Sequence, residues 1–236
     1  MATTLFAGSY AVGREEGKTA ESKYNWVNQT QGDHFDNVTL SKRWNAYDGL
    51  GHVGNAVRSP GAISIKNSIL TITGTPDGVT GSMSWTNGQL YGCWETRARY
   101  KSGTPAYHCV IILWPDALDW PEGGEIDFSE VGNGARQTLH FFLHYGKDNK
   151  QHHNSTKVDM NTWHNYSVEW TESHVLGFID GEEFFRSEDT NAIPTRPMHA
   201  TIQLDWFPGN GERGQERWKS IGLDNIACKG RFIMGY

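Results

Sequence analysis

From about Gly32 onward the chain is a succession of short segments in which apolar and polar residues alternate, broken by Gly, Asn and Asp. No window of helix length carries a 3.6-residue apolar repeat. A period of two puts successive side chains on opposite faces of an extended strand, so each segment can bury one face only against a second sheet. AISIK and ILTIT flank Asn67-Ser68 and predict a hairpin over Ala62–Thr73. In QLYGCWETRARYK, Leu90, Trp94, Ala98 and Tyr100 alternate with Glu95, Arg97 and Arg99. YSVEW places Tyr166, Val168 and Trp170 on one face, and GFIDGEEFF contains Asp180-Gly181, a pair that accepts the positive φ of a two-residue hairpin turn. ATIQLDW sets Ile202 and Leu204 against Gln203 and Asp205. Many short strands with turn signals and almost no helix predict an all-β fold, a two-sheet jelly-roll sandwich of antiparallel strands. The 236 residues suffice for one such domain, assigned to residues 32–236. Residues 1–31, which include the polar run GREEGKTAESK, read as an N-terminal arm or loosely packed extension.

Composition removes several classes of function. A net charge of -6 argues against a nucleic-acid partner, and no run approaches the ~18 apolar residues of a membrane span. The first residues lack a basic stretch followed by an apolar one, so no signal peptide is read there. Three cysteines make no disulfide framework; Cys93 and Cys109 could bridge only if their strands are neighbours, and buried thiols are the simpler reading. No CxxC or HExxH occurs, so metal-dependent chemistry is not indicated. Ten Trp, nine Tyr and ten Phe exceed what a core of this size needs, and flat rings suit the apolar faces of sugars.

The sharpest local feature is WPEGGEIDFSE, Trp120 to Glu130. Glu125 and Asp127 share one face of a strand, whereas Glu130 has the wrong parity. One β-bulge after Asp127 corrects it and projects three acids into one place. Packed carboxylates repel, and at least one must hold its proton above the ordinary range. Retaining glycoside hydrolysis uses such a set: an ionised nucleophile and a protonated acid about 5–5.5 Å apart. With a bulge, the two Glu Cα atoms are roughly 13–14 Å apart, and side chains leaning together close most of the gap.

At this motif the sequence resembles the family 16 glycoside hydrolases, the laminarinase and lichenase family, whose signature is Trp-Pro, then Gly, then E-[ILV]-D-x(-x)-E. YGCWETRARY, TLHFFLHYG, WHNYSVEWT followed by FIDGE, and IGLDNIACKG resemble further family strands in the same order, over roughly residues 32–229. The resemblance implies a jelly roll with an open concave cleft, Glu125 as nucleophile, Glu130 as acid/base and Asp127 assisting. It implies an extracellular polysaccharide as substrate, cut within the chain by a monomer that requires no cofactor. The spacing with the extra residue is typical of β-1,3-glucanases and of several agarases and carrageenases, so laminarin-type β-1,3-glucan is favoured, with mixed-linkage glucan next. Action on a galactan, transglycosylation, and a non-catalytic lectin-like module are the alternatives. Substrate contacts are expected from Trp120, His144, Trp114, Trp206, Gln203, Asn55 and Arg58. VIILWP stands where many members have a Trp before the loop, and Trp114 could supply that ring from a shifted position. Members often carry a structural calcium far from the chemistry; Asp224 and the segment 33–36 are candidate ligands, and a metal-free protein is the alternative.

Overall fold

The computed structural model describes residues 18–26, 29–210 and 224–235; for residues 29–30, 210, 224–233 and 235 it describes the backbone alone. In chain order the first strands are β1 (Gln29–Asp33), β2 (Trp44–Ala46), β3 (Gly49–Leu50), β4 (Val57–Arg58), β5 (Ile63–Lys66) and β6 (Ile69–Gly74). Then come β7 (Val79–Thr80), β8 (Ser82–Trp85), β9 (Gly92–Tyr100), β10 (Tyr107–Pro115), β11 (Glu125–Val131) and β12 (Thr138–Tyr145). The last are β13 (Lys150–Lys157), β14 (His164–Trp170), β15 (Val175–Ile179), β16 (Glu182–Ser187), β17 (Met198–Trp206) and β18 (Asp224–Gly235). One sheet runs β16-β15-β14-β9-β18-β6-β5, with β1 on β18, and the other runs β13-β12-β11-β10-β17-β8-β2. Both are antiparallel, a jelly-roll sandwich. A small third sheet, β3-β4-β7, sits beside them and contains one parallel pair.

The expected alternation builds the core. Cys109, Ile111 and Leu113 of β10, Leu139, Phe141 and Leu143 of β12, and Ile202 and Leu204 of β17 face inward from one sheet. Trp94, Ala98 and Tyr100 of β9 and Tyr166, Val168 and Trp170 of β14 meet them from the other. Rings pair across β9 and β14: Trp94 with Trp170 at 5.9 Å and Tyr100 with Tyr166 at 5.3 Å. Most of the surplus aromatic residues are therefore core. Asp180 and Gly181 adopt the positive φ of the expected hairpin turn, 49° and 74°. Cys93 and Cys109 lie in different sheets as buried free thiols, so the neighbour condition for a bridge is not met.

Residues 18–26 are not loosely held. They form a strap across the outer face of the β9/β14/β15 region, with a short helix α1 (Ala20–Lys23) capped by the Thr19 side chain. Ala20 is fully buried beside Phe178, Tyr24 packs on the Phe178 ring at 4.9 Å, and the Trp26 indole donates to Glu169 at 2.9 Å. The strap also corrects the reading of Glu95. Its side chain points away from the core as the alternation requires, yet it is 0% exposed because the strap covers it. Glu95 Oε2 accepts from the Ala20 N–H at 2.8 Å and from the Ser167 hydroxyl at 2.9 Å. Burial, the dominant cause, pushes its carboxyl up to about 7.

This has a consequence for stability. A carboxyl with a raised folded-state pKa binds more protons in the folded than in the unfolded chain, so its contribution is present below about 4.5 and lost as pH rises through 7. The loss is on the order of 3 kcal/mol. Glu95→Gln keeps an acceptor for Ala20 and Ser167 and removes the titration. Urea denaturation between pH 5 and 8 (~3 pH units) should show wild type losing stability more steeply than the variant. Equal slopes would show that Glu95 does not titrate in this window.

Candidate active site

Gly124 precedes β11 with φ +79°, and a Cβ there would meet Pro194 at 2.8 Å and the His144 carbonyl at 3.1 Å. Only glycine brings the chain this close to its neighbours as β11 begins. Along β11 the expected bulge is present. Against β10, Ile112 pairs with Asp127 and Ile111 with Ser129, which leaves Phe128 as the extra residue. Phe128 and Ser129 turn into the core, where Ser129 bonds the Tyr100 hydroxyl at 2.5 Å. Glu125, Asp127 and Glu130 then share the opposite face. Each lies directly across from a residue of β12: His144, Phe142 and His140 respectively.

The three acids have distinct surroundings. Asp127 is 3% exposed, and its Oδ1 is buried with no hydrogen-bond donor from the protein. Its Oδ2 lies 3.1 Å from His144 Nε2. The Glu125 carboxyl is within hydrogen-bonding reach of Asp127 and accepts from the Trp120 indole. Burial first, then the charge of Asp127, pushes Glu125 above the ordinary carboxylate range; burial first, then the charge of Glu130, does the same to Asp127. Two buried carboxylates in contact cannot both be ionised at little cost, so burial and mutual repulsion both favour keeping a proton on the pair. Glu130 is more open, and its Oε1 meets His108 Nδ1 at 3.1 Å.

Beside Glu125 opens a cavity of about 280 Å³. Its walls include Trp114 and Trp120, whose rings lie 6.3 Å apart and within 12° of parallel. Gln203 and Arg58 also line it. Arg58 is fixed by Asp205 at 2.7 Å, and Asp205 also accepts from the Gln203 amide at 2.7 Å. His144 stands at the acid cluster. Trp206 and Asn55 are not among the wall residues. Trp206 has the parity of Ile202 and Leu204, so it packs toward the core, where its ring fills the space beside Gly78. Asn55 closes a 3-10 turn through its backbone N–H to the His52 carbonyl and is not part of the cavity wall, whereas His52 is.

Sequence reading missed His108, Asp205, Tyr47, His52 and Thr201. The first two were within reach. Counting back by twos from Trp114 along β10 gives His108, and counting on from Gln203 gives Asp205. Tyr47 and His52 lie in an irregular segment where no periodicity assigns a face. Of the segment named for calcium, Asp33 accepts from the Phe35 N–H at 2.7 Å and from the Trp44 indole at 3.1 Å, and Asp36 is exposed. The Asp224 side chain lies outside the described residues.

The family model for glycosyl hydrolases family 16 matches residues 52–221. The chain is 35% identical over 94 residues to the clotting factor G alpha subunit of Tachypleus tridentatus, an alignment covering 36% of this chain and 14% of that protein. It is 27% identical over 158 residues to the endo-1,3-1,4-beta-glycanase ExsH of Rhizobium meliloti, covering 60% of this chain and 33% of that protein. The matched region is thus a third or less of these relatives. Among solved structures, LamAcat from Zobellia galactanivorans superposes with a TM-score of 0.77 at 15% identity, covering 90% of this chain and 99% of that one. The laminarinase from Rhodothermus marinus gives 0.76 at 20% identity, covering 89% and 97%. These two are likenesses of fold.

Proposed function

The chain belongs to the family 16 glycosyl hydrolases, and we propose that it is a retaining endo-glycosidase acting on a β-1,3-linked glucan, with Glu125 as nucleophile, Glu130 as acid/base and Asp127 assisting. The observation that carries this reading is that Glu125, Asp127 and Glu130 stand together on one face of β11, with Glu125 at the cavity wall. In this mechanism Glu125 attacks as the carboxylate, and Asp127, its contact partner, takes up the proton. Glu125 then attacks the anomeric carbon as the bond to the leaving oxygen breaks, and Glu130 delivers its proton to that oxygen. The glycosyl ester removes the charge of Glu125. Water next attacks the same carbon, Glu130 takes the water's proton, and Glu125 departs as carboxylate, so the configuration is retained. The Trp114 and Trp120 rings offer apolar surfaces to the sugar on the Glu125 side, and Arg58 and Gln203 offer donors to its hydroxyls.

The β-1,3 preference rests on the long spacing of the acid motif in WPEGGEIDFSE, the form typical of β-1,3-glucanases in this family. The test is incubation with laminarin, lichenan, agarose and carrageenan, read by product size. Laminarin should be cut fastest, with mixed oligosaccharides from the earliest times. Faster cutting of agarose or carrageenan would overturn the glucan assignment. Release of monosaccharide alone would overturn the endo mode, and binding of glucan without any cleavage would favour the lectin-like reading.

A further inference from the structure

The cavity beside Glu125 is lined by Ile112 and Trp114 of β10 and by Thr201 and Gln203 of β17, strands on one side of β11. β12 and β13 lie on the other side. A polysaccharide that crosses β11 from the cavity therefore leaves over these two strands. Residues directly opposite each other on antiparallel strands share a face. His140 is opposite Glu130, and Phe142 is opposite both Asp127 and His153. His140, Phe142 and His153 thus stand on the face of the three acids.

Their rings form one surface. His140 Nδ1 and His153 Nε2 are 3.0 Å apart, so one ring donates its N–H to the other. The ring centres are 5.3 Å apart and the planes differ by 17°. That spacing is the bond plus the reach of each ring, so the imidazoles lie end to end as a plate. The Phe142 ring stacks on His153 at 4.4 Å and 20°, and its plane is within 11° of His140, so it backs the plate. His153 is exposed and His140 half-buried.

Such a plate suits a sugar. A pyranose offers a C–H-bearing face to flat rings, which attract it by dispersion, and hydroxyls around its rim. Two neutral imidazoles carry two donors and two acceptors between them. Their mutual bond uses one of each and leaves one of each, and a sugar hydroxyl can meet either. Burial first, then repulsion from His153, lowers the His140 pKa below the ordinary imidazole value against the smaller pull of Glu130, so His140 carries no charge at pH 7.

We infer that His140 and His153, backed by Phe142, form the subsite for the sugar on the leaving side of the cut. Glu130, directly opposite His140, then stands between that sugar and the one at Glu125, where a proton must reach the bridging oxygen. That this is the leaving side rests on the glycosidase reading given above; that the rings bind sugar does not.

Two substrates separate the sides of the cut. β-Laminaribiosyl fluoride fills the Glu125 side alone, and its fluoride departs without a sugar beyond the cut. Laminarihexaose spans both sides. His153→Ala should lower the ratio of kcat/KM for the hexaose to that for the fluoride by about tenfold. His153→Phe, which puts a flat ring back against Phe142, should recover much of the loss. An unchanged ratio in His153→Ala, whether both rates hold or both fall together, would overturn the subsite. A ratio as low in His153→Phe as in His153→Ala would overturn the stacking. Binding is read without turnover in the Glu125→Gln chain, where laminarihexaose should shift the ring NMR signals of His140 and His153. If wild type cleaves neither substrate, the glycosidase reading fails, and these signals still decide the surface: no shift at saturating hexaose means that it binds no sugar.

Discussion

Glu125→Gln should lower kcat on laminarin by about 10⁴-fold or more, the scale of losing a covalent nucleophile. The amide fills the same space and can still accept the Trp120 indole hydrogen bond, but it cannot form the glycosyl ester, so both half-reactions stop. The fold should survive. Wild type buries two carboxyl groups in contact, where burial disfavours the charged form, and replacing one by a neutral amide removes a buried ionisable group. The variant should therefore unfold at the same temperature as wild type or higher. This pairing of lost rate with undiminished stability is what a functional, rather than structural, carboxylate predicts. Added azide cannot restore a retained product, because no intermediate forms for it to intercept, although it can attack from the vacated face and give an inverted glycosyl azide. Rate measurements, thermal melts and NMR of the products check all three points. Residual activity within about tenfold of wild type would remove Glu125 from the nucleophile's role.

How far the sequence carries this depends on which physical signal each residue leaves. Period-two alternation leaves a strong one, and it placed the core faces of β9, β14 and β17 correctly. Parity with a single bulge sufficed to bring Glu125, Asp127 and Glu130 to one face, because the energetic oddity of three clustered acids made an irregularity worth postulating. Parity also puts Trp206 on the face of Ile202 and Leu204, and its ring packs against the core beside Gly78. What alternation cannot convey is what covers the outer face of a sheet. Glu95 reads as an exposed polar residue, yet the strap at 18–26 buries it, and the polar composition of that strap gives no hint that Ala20, Tyr24 and Trp26 anchor it. Nor can local pattern reveal pairs far apart in sequence. The Arg58–Asp205 and His108–Glu130 contacts arise from strand register and from an irregular loop, and both are properties of the assembled fold.

Glu130→Gln should fail differently. General acid/base catalysis is worth about 10²–10⁴-fold, and laminarin, whose sugar alkoxide leaves poorly without a proton, should lose that much. An aryl β-glucoside oligomer with a good leaving group needs little protonation, so its first step should be far less affected. Glu125 remains with its partner Asp127, and the glycosyl ester should form and accumulate because no base activates water. Azide needs no such base, so it should accelerate turnover of the aryl substrate and release a glycosyl azide of retained configuration. His108, 3.1 Å from Glu130, contacts the carboxyl directly and is the group most able to substitute weakly. Combining His108→Ala with Glu130→Gln should therefore lower the azide-free rate further while leaving the azide-rescued rate nearly unchanged. Two carboxylates on one strand leave little room for the ~6.5–9.5 Å gap that an inverting water requires. If wild type inverts, or if azide gives the same stereoisomer with both glutamate variants, the roles of Glu125 and Glu130 assigned here are wrong.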